Sequence, residues 1–350
     1  MEPLDIKISQ INKKESVDLY TSQLVLSISG KSINSSVVNT LRRLCYDYVP
    51  IYAFPVENIK IEKNTSIFNN DQMKLRLSQI TIPKLNIPVY YLEDVFWKDV
   101  NFTNPQRVKH PQDNKVLELY VHAENTTKDI LNVTTNHIKL FENGIELKDK
   151  FSQNFPHLII QLRPGEVFSC NCPGILGIGK LNAIWCAAGN VYFKELNNDK
   201  YELTVESQGQ MDEYEILHKA CRIVKEKIEV TKKLVKDKYD ESIMEKTDIL
   251  EIQLYNEDHT LGGIINRCLQ DNKHVVFSGL SKPNFLIDTM LIRFKTKKEN
   301  PIKPLNETLD YIIELFDNIQ RKIEDLAADF ISYEPIKSKS KVKKQINKNI

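Results

Sequence analysis

The stretch Asn256-Glu-Asp-His-Thr-Leu-Gly-Gly-Ile-Ile-Asn-Arg-Cys-Leu-Gln270 constrains the fold more than any other, because its pattern occurs twice in the chain. A strand-like run, Ile249 to Tyr255, feeds a polar turn, after which Leu261, Ile264, Ile265, Cys268 and Leu269 recur at helical spacing. Asp258 or Thr260 can accept from the free N–H groups of a first helical turn, so either is a candidate N-cap. Gly262 and Gly263 leave one helix face without side chains, with room for another backbone. Earlier, Leu24 to Ile28 alternates as a strand, Gly30 to Asn34 makes a polar turn, and Ser35 to Tyr46 carries Val37, Val38, Leu41, Leu44 and Cys45 on one helical stripe.

Each half also closes on a longer amphipathic helix. In the first, Ile216, Leu217, Ala220, Cys221, Val224, Ile228 and Val235 keep a three-and-four spacing, which predicts a helix from about Asp212 to Lys238. In the second, Leu305, Leu309, Ile312, Ile313, Phe316, Ile319, Ile323, Leu326 and Phe330 predict one from an Asn306 cap to about Ile331. A strand-helix unit of this kind cannot cover its own apolar face, so the two units are expected to pack against each other in an α+β fold.

Several short motifs now identify a family. Asn256-Glu-Asp-His-Thr-Leu-Gly-Gly resembles the opening motif of the L-type, or eleventh, subunit of archaeal and eukaryotic RNA polymerases. The first half resembles its larger partner, the D-type or third-largest subunit, at Val38-Asn-Thr-Leu-Arg-Arg-Leu44, Val49-Pro50, Glu62-Lys-Asn-Thr-Ser-Ile67, Leu75-Arg-Leu77 with Ile80, and Gly177-Ile-Gly-Lys180 with Trp185. The resemblance spans roughly residues 20 to 330 and implies both subunits fused in one polypeptide, as in some large DNA viruses. It implies two polymerase α-type dimerisation half-domains paired within one chain. The expected division is 1–52 with 180–240 for the first, 53–179 for an inserted β-rich subdomain, 247–334 for the second, and 335–350 for a basic disordered tail.

The function implied is that of a non-catalytic assembly platform of DNA-directed RNA polymerase, on which the two large catalytic subunits assemble. By resemblance, Asn39, Arg42 and Arg43 lie against the large subunits, and the arginine fork suits a partner's carboxylate or loop carbonyl. Asp258, His259, Thr260, Leu261 and Gly262 form the dimerisation motif, and Ile216, Ala220, Val224, Ile312, Phe316, Ile319 and Ile323 the dimerisation helices. Small accessory subunits are further expected partners, with DNA reached only through the complex. His259 is read as a capping or turn residue rather than a general base, and Gly177-Ile-Gly-Lys180 lacks the spacing of a phosphate loop.

Charge bears on the competing reading, a free-standing nucleic-acid-binding regulator. Of 48 basic and 47 acidic residues, the segment Lys337 to Ile350 holds six lysines and no acid, so the remaining body is slightly acidic. A regulator would have to grip nucleic acid through that tail, whereas such proteins usually carry a basic face on a folded domain. No apolar run approaches membrane-spanning length, and Met1 to Lys7 lacks a signal peptide's apolar region, so an intracellular place is expected: nucleus or cytoplasm, or a viral factory or virion. The six cysteines then read as thiols, with Cys45, Cys221 and Cys268 on apolar stripes. Cys170-Asn-Cys172 is the only close pair, short of the four ligands of structural zinc, so no metal and no cofactor is expected.

Overall fold

A computed structural model describes residues 4–16, 21–239, 247–298 and 300–327. The first half begins with an antiparallel hairpin of β1 (Lys7–Glu15) and β2 (Ser22–Ser29), followed by helix α1 (Ser35–Asp47). Asn34 caps α1, its side chain accepting from the Val37 N–H at 3.1 Å. The sequence reading takes residues 1 to 19 as a short arm; instead Lys7–Glu15 is an edge strand. Its polar sequence hides the pairing, because both of its faces are largely exposed.

The inserted region then departs through β3 (Ile51–Ala53), β4 (Lys60–Asn64) and α2 (Asn70–Ser78), the last capped by Asn69. The alternation of Pro55 to Glu62 predicts a strand, but Pro55 starts a 3-10 turn at Val56–Asn58 and the strand forms only from Lys60. The pattern from about residue 80 to 175 predicts short alternating strands; these form from Leu117 onward, whereas 80–116 is mostly irregular, although Ile82, Leu85, Ile87, Val89 and Leu92 are buried. Their carbonyls find donors elsewhere. Lys219, fully buried on the long helix, donates from Nζ to Ile87 O at 2.7 Å and Val89 O at 3.2 Å. Beyond the strap come β5 (Leu117–Glu124), β6 (Leu131–Thr134), β7 (Ile138–Glu142), β8 (Ile145–Glu146), β9 (Leu158–Leu162) and β10 (Val167–Gly177). They form a sheet of order β3-β10-β5-β7-β8 with β4 also on β10, and a β6-β9 pair.

The chain returns with β11 (Ala188–Asn197) and β12 (Lys200–Ser207), completing a sheet of order β1-β2-β12-β11, and then α3 (Glu213–Lys238) capped by Asp212. The second half repeats the plan: β13 (Ile249–Tyr255), α4 (His259–Asp271), β14 (Val275–Ser281), β15 (Thr289–Thr296) and α5 (Ile302–Leu326), with sheet order β13-β15-β14. Strand for strand, β2-β12-β11 corresponds to β13-β15-β14. Where the first half inserts a whole subdomain between α1 and β11, the second has only Asn272 to His274 between α4 and β14.

Two boundaries in the second half differ from expectation. Helix α5 starts at Ile302, with Pro301 as its N-cap rather than Asn306. Pro304 is tolerated in the first turn, where its missing N–H would have had no helical partner. The helix is described to Leu326, and the expected stretch from 328 lies outside the described residues. The runs Val275–Phe277 and Leu286–Phe294 predict a hairpin turning at Ser278 to Asn284, but the turn runs over 282–288, so Leu286 and Ile287 are loop rather than strand. The Asn284 side chain accepts from the Leu286 N–H at 2.9 Å, a local turn that competes with pairing.

Candidate subunit-binding site

Helices α3 and α5 lie against each other and share one interior. Ile216, Ala220 and Val224 of α3 and Ile312, Phe316, Ile319 and Ile323 of α5 are all buried in the common apolar core. Along their flank run polar contacts in even steps. His218 Nε2 lies 2.9 Å from Glu324 Oε1, Lys225 Nζ donates to Asp317 Oδ1 at 2.5 Å, and Lys232 Nζ donates to Asp310 Oδ1 at 2.6 Å. Each contact lies seven residues further along α3 and seven residues back along α5, so the helices are antiparallel with a fixed register.

The short helices form the second part of the seam. The Thr40 hydroxyl of α1 donates to Thr260 O of α4 at 3.2 Å. Asp258 caps α4, accepting from the Thr260 N–H at 2.7 Å, and receives Arg43 Nη2 from α1 at 3.1 Å. Burial raises the Asp258 carboxyl, but the Thr260 donors and the Arg43 charge outweigh it and hold the group below its ordinary range. Beside it, Lys227 of α3 donates to Glu257 Oε1 at 2.6 Å, almost out of solvent. Its ammonium also lies 4.4 Å from the centre of the Tyr48 ring. Thr40, Leu44, Tyr48, Lys227, Glu257, Thr260 and Leu261 thus come together at the seam between the halves.

The sequence-predicted site residues are therefore divided between tasks. Arg43 is engaged inside the chain, by Asp258 and by Asp47 at 3.6 Å. Arg42 is half-buried, its guanidinium held by the Asn39 side chain at 3.0 and 3.1 Å on the same helix. His259 opens α4 with its side chain exposed, and Leu261 and Gly262 are buried. At Gly262 the close neighbours are the side chains of Leu280 and Met290 from its own sheet rather than a second backbone, and Gly263 faces open space. The backbone approach occurs at Gly179, where an added Cβ would stand 2.3 Å from Tyr46 O. Cys170 and Cys172 are buried free thiols on β10, and no group of metal-ligating side chains comes together among the described residues.

The RNA polymerase Rpb3/Rpb11 dimerisation domain profile matches residues 30–228, more than half of the chain, and a second profile of the same description matches 249–322. The chain belongs to the Rpb3/Rpb11 dimerisation family. It is 29% identical over 341 residues to a protein of Acanthamoeba polyphaga mimivirus provisionally named DNA-directed RNA polymerase subunit R470, covering 90% of this chain and 93% of that one. It is 28% identical over 194 residues to the polymerase subunit Rpo3 of Methanocaldococcus jannaschii, covering 55% of this chain and 82% of that one. Rpo11 of Thermococcus onnurineus is 26% identical over 84 residues, covering 24% of this chain and 88% of that one. One polypeptide thus joins a D-type and an L-type dimerisation domain, and the two matched regions meet in this chain at the α3–α5 pair and the α1–α4 contact. The lysine-rich tail of the regulator reading lies outside the described residues.

Proposed function

We propose that this Rpb3/Rpb11-type chain is the assembly platform of a DNA-directed RNA polymerase and brings the two large catalytic subunits together without taking part in the chemistry. One observation carries the reading: the two dimerisation domains meet within one chain and bury their apolar helix faces in a common core. The dimer is then complete before any other subunit arrives, and the outer surface is left for docking. A short connection between residues 239 and 247 keeps the halves at an effective concentration on the order of millimolar, so they pair at any expression level.

Asn39 and Arg42, braced on one another and half-exposed, are the residues we assign to a large subunit, while Arg43 holds the docking helix onto α4. Small accessory subunits dock on the same platform, DNA is met only through the assembled enzyme, and the chain works inside the cell. Co-expression with the two large subunits tests the reading. Wild type should copurify with them, and Arg42→Glu should be lost from the complex while its own unfolding midpoint stays unchanged. A platform that assembles equally well with Arg42→Glu refutes the site; failure of wild type to copurify refutes the function.

A further inference from the structure

The connection between β14 and β15 carries the most exposed apolar run among the described residues: Phe285, Leu286 and Ile287 are 86%, 94% and 56% exposed. The fold does not require it. The corresponding connection in the first half, between β11 and β12, is only Asn198 and Asp199, both polar, and the Asp199 carbonyl accepts from the Gly30 N–H at 3.0 Å. The second half thus carries a longer, apolar loop where its duplicate has a tight polar turn.

Nor is the loop slack. Lys282 closes its base on Asp288 at 3.0 Å, and Asp288 also faces Lys180 of the first half at 3.6 Å. The Leu286 and Ile287 N–H groups are both turned onto Asn284, to its side chain and its carbonyl. This fixes the backbone while leaving the side chains in water, a preorganised arrangement that loses little freedom on binding. Lys180 in turn donates its backbone N–H to Asp47 O at the end of α1, next to Arg43. The loop is therefore contiguous with the docking helix across the seam between the halves.

We propose that Phe285, Leu286 and Ile287 form an apolar anchor that inserts into a pocket on one of the large polymerase subunits, beside the C-terminal end of α1, the helix that carries Arg42. The inference rests on the platform reading and names a further contact within it. Three side chains cover far too little area to hold a second copy of this chain, since stable interfaces bury about 1,200 Å² or more. As an anchor inside a larger surface, such a cluster carries a large share of the affinity.

The test uses the full chain with Phe285→Ser and Leu286→Ser together, co-expressed with the large subunits beside wild type and Arg42→Glu. Alone, the loop variant should keep the wild-type circular dichroism and unfolding midpoint, and its recovery with the large subunits should fall roughly tenfold or more. Wild-type recovery of the loop variant, with Arg42→Glu lost, overturns the anchor and leaves the platform standing. If wild type itself is not recovered, the platform reading fails and the anchor with it. A wild-type chain that sediments alone as a dimer, converted to a monomer by the loop variant, overturns the proposal in favour of self-association.

Discussion

Replacing Lys227 by methionine would leave the Glu257 carboxylate in the seam between the halves without its cation. Lys227 is 3% and Glu257 16% exposed at the side chain, and their charged atoms are 2.6 Å apart. Burial already pushes the Glu257 carboxyl above its ordinary 4.5, against the pull of Lys227. Removing one partner of such a pair generally costs about 3–5 kcal/mol. The variant has an escape, which is to fold with Glu257 protonated, and this caps the electrostatic part. At pH 7, protonating a carboxyl of ordinary value 4.5 costs ~3.4 kcal/mol, at about 1.4 kcal/mol per pH unit. At pH 5 the same ceiling is only ~0.7 kcal/mol. Because the folded variant holds a proton that the unfolded chain releases, its stability is full below about pH 4.5 and is lost as the pH rises. Urea unfolding should therefore show Lys227→Met destabilised by about 3 kcal/mol at pH 7, a midpoint shift of roughly 1 M, and by about 1 kcal/mol or less at pH 5. Adding Glu257→Gln should recover most of the loss at pH 7. An equal loss at both pH values, or no recovery in the double variant, would refute the argument.

Three further perturbations follow from single contacts. Phe316→Ala empties a fully buried site between α3 and α5 and should cost about 3–5 kcal/mol in chemical denaturation. Gly179→Ala drives a Cβ to within 2.3 Å of Tyr46 O and 2.9 Å of Cys186 Sγ, so a cost of about 1–3 kcal/mol should appear as a lower Tm. Burial pulls the Lys219 ammonium down from 10.5 to about 8 despite Glu215. Between those values the unfolded chain binds the extra proton, so wild type should gain stability as the pH rises from 8 towards 10.5, and Lys219→Met should lack that gain.

The helices were legible because their apolar stripes are long: the spacing from Ile216 to Val235 and from Leu305 to Ile323 marks α3 and α5, and both stripes are buried. The motif around Asp258 gave α4 together with its cap. What could not be read had no periodic signal. Strand β1 is polar on both faces, and the buried residues of 82–92 sit in an irregular strap whose carbonyls are satisfied from a distant helix. Leu286 and Ile287 look like strand residues by propensity, but the local turn at Asn284 wins over pairing. The contact between Arg43 and Asp258 could not be read because the two residues are remote in sequence. One signal of the pairing does stand in the sequence: His218, Lys225 and Lys232 on one helix, and Asp310, Asp317 and Glu324 on the other, each seven residues apart.

That spacing bears on which molecules can combine. The flank of α3 presents only basic groups at these places and the flank of α5 only acidic ones. Two first halves meeting along the same faces would set lysine against lysine, and two second halves carboxylate against carboxylate, at every second turn. Each attraction at the edge is weak, and burial holds His218 below its ordinary range, but reversing the sign of the two lysine–aspartate pairs makes homotypic pairing the poorer choice. Duplication alone yields two surfaces that fit themselves as well as each other; opposite polarity along one edge tilts the copies towards complementing one another.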